Sequence, residues 1–284
     1  MNQTVVNLWK RLAAALGWTR SSYVLMSLFA ATLFTIGVVW WPLMRDAIVY
    51  VDFSRPLWSQ VDWLLLFDFG LMSLLIMAGA DLKVDALIVF VGFAGGLVIE
   101  SWGTQTELWT YYTRERPPMW IIPAWPIASL AIDRLTRMLN RLVERLSPSL
   151  HSAVFPALYW AIFPTFYVLM LVFVWPTRGL SLTMMALLLC ALLTLTPTDH
   201  RLAVLTFVAG SGLGYFLELW GTTRFCWNYY TRQTPPLFAV LAHGMAAVAF
   251  WRAALLFKQM GNKLLPRNQY EARTTNYQTI EPAP

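Results

Sequence analysis

The sequence has few charged residues, and this shortage excludes an ordinary soluble domain. Charged side chains make up 13% of the 284 residues and apolar ones 58%, whereas soluble domains have about 25% and about 45–50%. The net charge is +6, but the basic residues stand at the ends of apolar runs, where they orient membrane proteins. The composition therefore indicates an integral membrane protein and no nucleic acid partner.

Cysteine and histidine are also scarce. The chain has two cysteines and three histidines, which excludes a disulfide framework and leaves too few ligands for a zinc site. Cys190 stands in an apolar run and Cys226 in a predicted loop, so we do not expect them to pair. Phosphate-binding glycine loops, serine elbows and dinucleotide fingerprints are missing too. We expect no metal and no other cofactor.

The chain has long apolar runs instead. A helix needs about 20 apolar residues to cross a bilayer core of ~30 Å, and lipid leaves its backbone groups no other partners. Candidate runs cover residues 22–44, 63–80, 84–101, 119–132, 154–175, 180–196, 202–219 and 237–257. The run at 119–132 is short and contains Pro123 and Pro126. We predict an all-α integral membrane protein with about eight transmembrane helices.

Basic residues predict the orientation of these helices. They cluster before the first run, between the fourth and fifth, and after the last, at Lys10, Arg11, Arg20, Arg134, Arg137, Arg141, Arg145, Lys258, Lys263, Arg267 and Arg273. Such clusters face the cytoplasm, so we expect a bacterial-type inner membrane, cytoplasmic termini, and outward loops after the third and seventh helices. Residues 1–21 form an amphipathic cytoplasmic segment in this interpretation, with residues 5–18 on the membrane surface. Residues 258–284 form a polar cytoplasmic tail.

Two segments of the chain share one pattern, GFAGGLVIESWGTQTELWTYYTRERPP from residue 92 and GSGLGYFLELWGTTRFCWNYYTRQTPP from residue 210. The register continues without a gap from Asp81/Asp199 to Arg134/Arg252. We infer that a four-helix unit was duplicated, giving tandem repeats at 22–145 and 146–257. Because each unit has an even number of helices, the repeats are parallel and both motif loops meet on the outer face.

Each motif places a glutamate on a glycine-lined helix face. The residues are Gly92, Gly96 and Glu100 in the first motif and Gly210, Gly214 and Glu218 in the second. Their spacing of four puts them on one face, and small residues there let two membrane helices approach closely. Each glutamate then faces protein near the outer edge of the hydrocarbon, where an ionisable residue is a functional-site candidate.

Aromatic and basic residues accompany each glutamate. We predict that they bind substrate: Trp102, Trp109, Tyr111, Tyr112, Arg114 and Trp125 in the first motif, and Trp220, Trp227, Tyr229, Tyr230 and Arg232 in the second. Aromatic faces stabilise cations, so a carboxylic acid beside them can protonate a carbon–carbon double bond and the rings can stabilise the carbocation. We assign Glu100 and Glu218 as acid and partner, with His243 as a base or polar partner, acting on a lipophilic molecule from the bilayer.

Structural interpretations of the same residues stay open. Glu100 pairs with Arg114 and Glu218 with Arg232 in one alternative, whereas the arginines bind an anion or carboxylate in another. The aromatic residues anchor the protein at the interface in a third. Asp68, in the second run, is a proton relay or a locally hydrogen-bonded residue. A transporter or lipid-binding protein, and a structural or assembly protein with outward motif loops, are the alternatives to an enzyme.

The first motif and its continuation resemble a known family. Glu100 leads through Gly103-Thr104 and an aromatic–tyrosine segment to Pro118 and then Pro123-Ala124-Trp125. This pattern resembles carotenoid hydratases of the CruF type and, more loosely, membrane lycopene cyclases. The second copy departs from it, with His243 in place of Trp125. The resemblance implies carbocation chemistry on a polyene without a metal or redox cofactor.

The predicted orientation is directly testable. A reporter fused after Arg145 should read as cytoplasmic, and a tag inserted near Gln105 should be reachable from outside the cell, because the basic clusters face inward. The measurement is reporter activity at the first position and labelling by an impermeant reagent at the second. Opposite readings at both positions would reverse the orientation.

Overall fold

The computed structural model describes residues 11, 13–14, 17–146, 154–196 and 198–264. The predicted amphipathic segment at 5–18 lies mostly outside the described residues, and so does the polar tail beyond residue 264. Their structures, and the domain boundaries that depend on them, stay predictions.

The described residues form a mainly helical fold with one short β-ribbon. In chain order the elements are α1 (Arg20–Val39), α2 (Trp41–Val49), a 3₁₀ turn (Leu57–Ser59), α3 (Trp63–Met77), α4 (Leu82–Gln105), β1 (Trp109–Tyr111), α5 (Ala124–Leu146), α6 (Val154–Phe173), a second 3₁₀ turn (Trp175–Thr177), α7 (Ser181–Leu195), α8 (His200–Thr223), β2 (Trp227–Tyr229) and α9 (Leu237–Leu264).

Length and composition identify the helices that suit a membrane. Within the described residues, α1, α4, α6, α8 and the part of α9 up to Met260 are long and apolar enough to cross one. Helices α3 and α7 are apolar but have only 15 residues each. The all-α class and the apolar helices of a membrane protein are therefore confirmed, and the count of eight crossings stays a prediction.

Prolines explain where two helices differ from the predicted runs. The predicted run at 119–132 is wrong in position, because residues 119–123 form a turn and α5 begins only at Ala124. Pro126 fits the first turn of α5, where no backbone donor is required. The predicted run at 22–44 breaks after Val39, and Pro42 lies in the first turn of α2. A proline there clashes with the preceding turn and lacks the donor for a continuous helix.

Helices α4 and α5 form one close pair, and α8 and α9 form a second. A Cβ placed on Gly96 would lie 2.4 Å from the Trp125 ring, and one on Gly214 would lie 2.5 Å from the Cβ of His243. Contacts this short exclude any larger residue without a shift of the neighbouring helix. The glycine faces therefore point at α5 and α9, as the spacing predicts.

The end of α3 is fixed by a buried ion pair. The basic stretch between the fourth and fifth predicted runs is helical in α5, and Arg134 is only 4% exposed. Its guanidinium lies 2.7 Å from Asp85 Oδ2 and donates to the Ala78 carbonyl at 3.2 Å. Asp133 accepts a further bond at 2.6 Å. Arg134 thus joins α3, α4 and α5, a role that charge patterning alone did not predict.

Asp81 and Asp199 cap the helices that carry the glutamates. Asp81 accepts a hydrogen bond from the backbone N–H of Lys83 at 2.9 Å, and Asp199 accepts one from Leu202 at 2.9 Å. The two cysteines are free, as expected.

The buried ion pair predicts a specific stability loss. Asp85→Asn should lower the free energy of unfolding by about 3 kcal/mol, because Arg134 stays buried and keeps only Asp133 as an acidic partner. The measurement is the melting temperature in detergent. Arg201→Gln is the control, because its pair with Glu144 is partly exposed and surface pairs contribute about 1 kcal/mol or less. Equal losses for both variants would contradict this role of Asp85.

Candidate functional site

The two motif segments meet in the β-ribbon at one end of the bundle. Strands β1 and β2 are antiparallel, with Trp109 opposite Tyr229, Tyr111 opposite Trp227, and Thr110 opposite Asn228. Alternate strand residues point to one face, so the Trp and Tyr of each strand turn inward together. The ribbon was not predicted, although the Trp-x-Tyr alternation after each glutamate was its signal.

The ribbon brings three neutral donors to Glu100. Glu100 is 3% exposed. Its Oε2 accepts from Trp109 Nε1 at 2.9 Å, and its Oε1 accepts from the Tyr111 hydroxyl at 2.9 Å and Trp125 Nε1 at 3.1 Å. The glutamate comes from α4, two donors from β1 and the third from α5. The Glu100 carboxylate therefore connects α4, β1 and α5.

Glu218 has the same surroundings with one change. It is 3% exposed. Trp227 Nε1 donates to Oε2 at 2.9 Å, and the Tyr229 hydroxyl donates to Oε1 at 2.8 Å. The third partner is His243, whose Nε2 lies 3.0 Å from Oε1. Trp125 of the first site and His243 of the second thus take equivalent positions on α5 and α9.

The tyrosines stay protonated and serve as donors. Burial, and after it the charge of Glu100, raises the pKa of Tyr111 well above its usual value. Burial and the charge of Glu218 have the same effect on the pKa of Tyr229. An indole N–H can only donate. The contacts of Glu100 therefore suit an ionised carboxylate that acts solely as an acceptor.

Histidine gives the second carboxylate another possibility. An imidazole nitrogen donates or accepts according to its tautomer, so Glu218 and His243 can exchange a proton across their 3.0 Å contact. The side chain of His243 is 18% exposed, whereas that of Glu218 is 5% exposed. Histidine is also the side chain suited to proton exchange near neutral pH. No such exchange is available between Glu100 and Trp125.

A ring stack connects the two carboxylate sites. The rings of Trp125 and His243 are 5.7 Å apart at their centroids and inclined by 15°. Because each ring also contacts one glutamate, a chain of contacts runs from Glu100 through Trp125 and His243 to Glu218. The two motifs therefore contribute to one continuous centre.

The alternative in which the glutamates pair with arginines is wrong. Within the described part of the chain, neither Arg114 nor Arg232 forms an ion pair or a side-chain hydrogen bond, and both are exposed. Both have positive φ angles, 60° and 56°, and their backbone N–H groups close turns onto Tyr111 and Tyr229. The motif turns direct both guanidinium groups away from the carboxylates.

Other predicted residues lie one layer farther from the glutamates. Tyr112 donates its hydroxyl to the Val39 carbonyl, and Tyr230 donates to the Phe173 carbonyl at 2.6 Å. These bonds join the ribbon to the ends of α1 and α6. Trp102 packs edge-on against Trp109, with their centroids 5.7 Å apart.

Trp220 belongs to a contact that the sequence did not predict. Its Nε1 donates to Asp62 at 2.9 Å, and Arg224 also bonds to Asp62. Burial alone would raise the pKa of Asp62, but hydrogen bonds from Arg224, from the Leu65 N–H and from Trp220 lower it below the usual value. Trp220 therefore joins α8 to the start of α3, and among the described residues its indole N–H donates to Asp62 and not to Glu218.

Asp68 is a buried acid that is separate from this centre. It is 2% exposed, and neither carboxylate oxygen has a hydrogen-bond partner among the described residues. The locally bonded alternative for Asp68 is therefore wrong. The same part of the chain has no group of three or more His, Cys, Asp or Glu residues placed to hold a metal.

Comparisons with known proteins do not identify a family for this chain. No family model, no curated protein and no solved structure matches the chain.

The different third partners predict unequal effects of amide substitution. In Glu100→Gln the amide can take two orientations. One points its NH₂ group at the indole N–H of Trp109 and the other points it at the indole N–H of Trp125, and neither indole can accept. In Glu218→Gln the NH₂ group can face Tyr229 and His243, which both can accept. A buried donor without an acceptor costs about 1–3 kcal/mol, so Glu100→Gln should lower the melting temperature in detergent more than Glu218→Gln. Equal losses would show that the third partner has no influence.

Proposed function

We propose that the protein is a membrane enzyme that protonates a lipophilic, isoprenoid- or carotenoid-like substrate, as a hydratase or cyclase. The observation that carries this proposal is the contact between Glu218 and His243. Glu100 accepts hydrogen bonds from all three of its partners, whereas Glu218 and His243 form a pair that can exchange a proton. Two nearly equal carboxylate sites that differ in this one partner suit different roles in one reaction.

The Glu218–His243 pair supplies the acid and base chemistry in this proposal. The pair gives a proton to one carbon of a double bond, which forms a C–H bond and leaves a carbocation at the other carbon. In a hydratase, water adds to the cation and releases a proton; in a cyclase, a second double bond adds and a C–H bond then loses its proton. The pair takes up that proton and returns to its first state. General acid–base catalysis of this kind contributes about 10²–10⁴-fold.

Glu100 stabilises positive charge in the same scheme. Its carboxylate has three neutral donors and no basic partner among the described residues, so its negative charge is oriented but not neutralised. A fixed charge in a buried site acts strongly on charge that develops during a reaction. The indoles of Trp109 and Trp125 add their ring faces, which attract cations.

The architecture that we propose places this centre near the outer membrane surface. The chain consists of two parallel four-helix repeats with eight crossings, in a bacterial inner membrane, with cytoplasmic termini. The two motifs have the same local geometry, which supports this arrangement. Glu107 and Phe225 both have positive φ angles. The rings of Trp109 and Trp227 pack against Gly103 and Gly221, where a Cβ would clash with them. The substrate then enters from the lipid. The resemblance to CruF-type hydratases supports the reaction class.

A structural role is the second candidate. It is favoured by the way in which each carboxylate joins two helices and one strand. In that case the carboxylates hold the ribbon on the bundle, and the protein serves as a membrane scaffold whose outer loops contact a partner.

Lipid and pigment profiling separates the two candidates. A deletion strain should lose a lipophilic product, and the wild-type gene should restore it. Glu218→Gln and His243→Gln should each reduce the product by at least ~10²-fold, because the proton-exchanging pair is lost. Arg201→Gln is the matched control and should restore the product fully.

Protein levels in the membrane must be measured on the same strains. Loss of product at a normal level of Glu218→Gln protein supports catalysis. An unchanged lipid and pigment profile on deletion, or full restoration by Glu218→Gln, would contradict the enzyme and favour the scaffold.

A further inference from the structure

A cavity opens beside the ribbon, next to the Glu100 site. Its volume is about 430 Å³, which is within the range of small-molecule sites. The lining side chains are Thr104, Trp109, Thr110, Tyr111, Tyr112, Arg114, Glu115, Arg116 and Asn228. The cavity is therefore mixed, with aromatic and hydroxyl groups on its buried side and charged groups at its mouth.

The buried side of the cavity is formed by the residues that hold Glu100. Trp109 and Tyr111 are each 7% exposed, and both donate to the Glu100 carboxylate. Thr104 is 1% exposed and donates to the Glu100 carbonyl. A molecule in the cavity thus lies one side chain away from the centre described above.

Among the described residues, the mouth of the cavity has one cation without an acidic partner. Arg116 is paired with Glu107 at 2.8 Å. Arg114 has no ion pair and no side-chain hydrogen bond within the described residues, so its guanidinium donors are free. A guanidinium presents its donors in a planar fork that matches the oxygens of a phosphate or carboxylate.

The second half of the chain differs at the positions that form the mouth of this cavity. Gln233 and Thr234 stand where the first half has Glu115 and Arg116. Arg232, the counterpart of Arg114, does not line this cavity. The chain therefore contains its own control, an arginine in the same turn conformation but away from the cavity.

We propose that this cavity binds the anionic head group of an amphiphile, a phosphate or carboxylate, through the guanidinium of Arg114. The apolar chain of the amphiphile then continues along Trp109 and Tyr111. Identifying the bound amphiphile as the substrate rests on the proposed function, since the substrate is then an isoprenoid-like chain with an anionic head group. The binding itself does not depend on turnover.

Binding to the purified protein in detergent tests the proposal. The probes are dodecyl phosphate, dodecanol and inorganic phosphate, followed by calorimetry. Dodecyl phosphate should bind, and Arg114→Gln should weaken it by ~10-fold or more, since a hydrogen bond to a charged group is lost. Arg232→Gln should change the affinity by less than ~2-fold. Arg114→Lys should be intermediate, because it keeps the charge but loses the fork.

The other probes identify the source of the anion. Inorganic phosphate that binds as tightly as dodecyl phosphate, with the same dependence on Arg114, would support the anion site and assign it to free phosphate. Equal binding of dodecanol, or equal effects of Arg114→Gln and Arg232→Gln, would overturn the proposal. Glu218→Gln should bind dodecyl phosphate normally, so failure of the catalytic proposal and failure of this one give different results.

Discussion

Hydrogen bonds from tryptophan and tyrosine to two buried carboxylates hold the motif end of this protein together. Glu100 and Glu218 are each 3% exposed, and within the described residues the donors to Glu100 are all neutral. A carboxylate is costly to bury unless it is hydrogen-bonded. The ribbon, the glycine faces of α4 and α8, and the positions of α5 and α9 all serve to bring donors to these two groups.

The difference between the two sites is a single aromatic ring. Trp125 can only donate, whereas His243 can donate, accept or carry a proton. Since the two rings stack on each other, protonation of His243 would place an imidazolium on the face of Trp125, a favourable cation–π arrangement. An almost symmetric frame thus contains a centre with unequal halves.

The sequence predicted the features that depend on local pattern. The spacing of Gly96 and Glu100 placed the glutamate on a protein-facing side. The repeated register also identified Trp125 and His243 as one position where the copies differ.

Features that depend on tertiary contact were missed. The Glu100–Arg114 pair was plausible from sequence distance, but the left-handed turn at Arg114 directs the guanidinium elsewhere. The partner of Arg134 is Asp85, 49 residues away, and the partner of Trp220 is Asp62, 158 residues away. No local pattern specifies such contacts. The ribbon was missed because each strand has only three residues, too few for a clear alternation signal.

Infrared spectroscopy of the purified protein during a pH titration tests the central claim most directly. The claim is that the two buried carboxylates differ in proton exchange, because the third partner of Glu218 is a histidine and that of Glu100 is a tryptophan. Acidification protonates many carboxylates, so the test is the difference between variants: one protonated-carboxyl band should be missing in Glu218→Gln and present in both the wild-type protein and Glu100→Gln. Loss of that band in Glu100→Gln, with its retention in Glu218→Gln, would contradict the account.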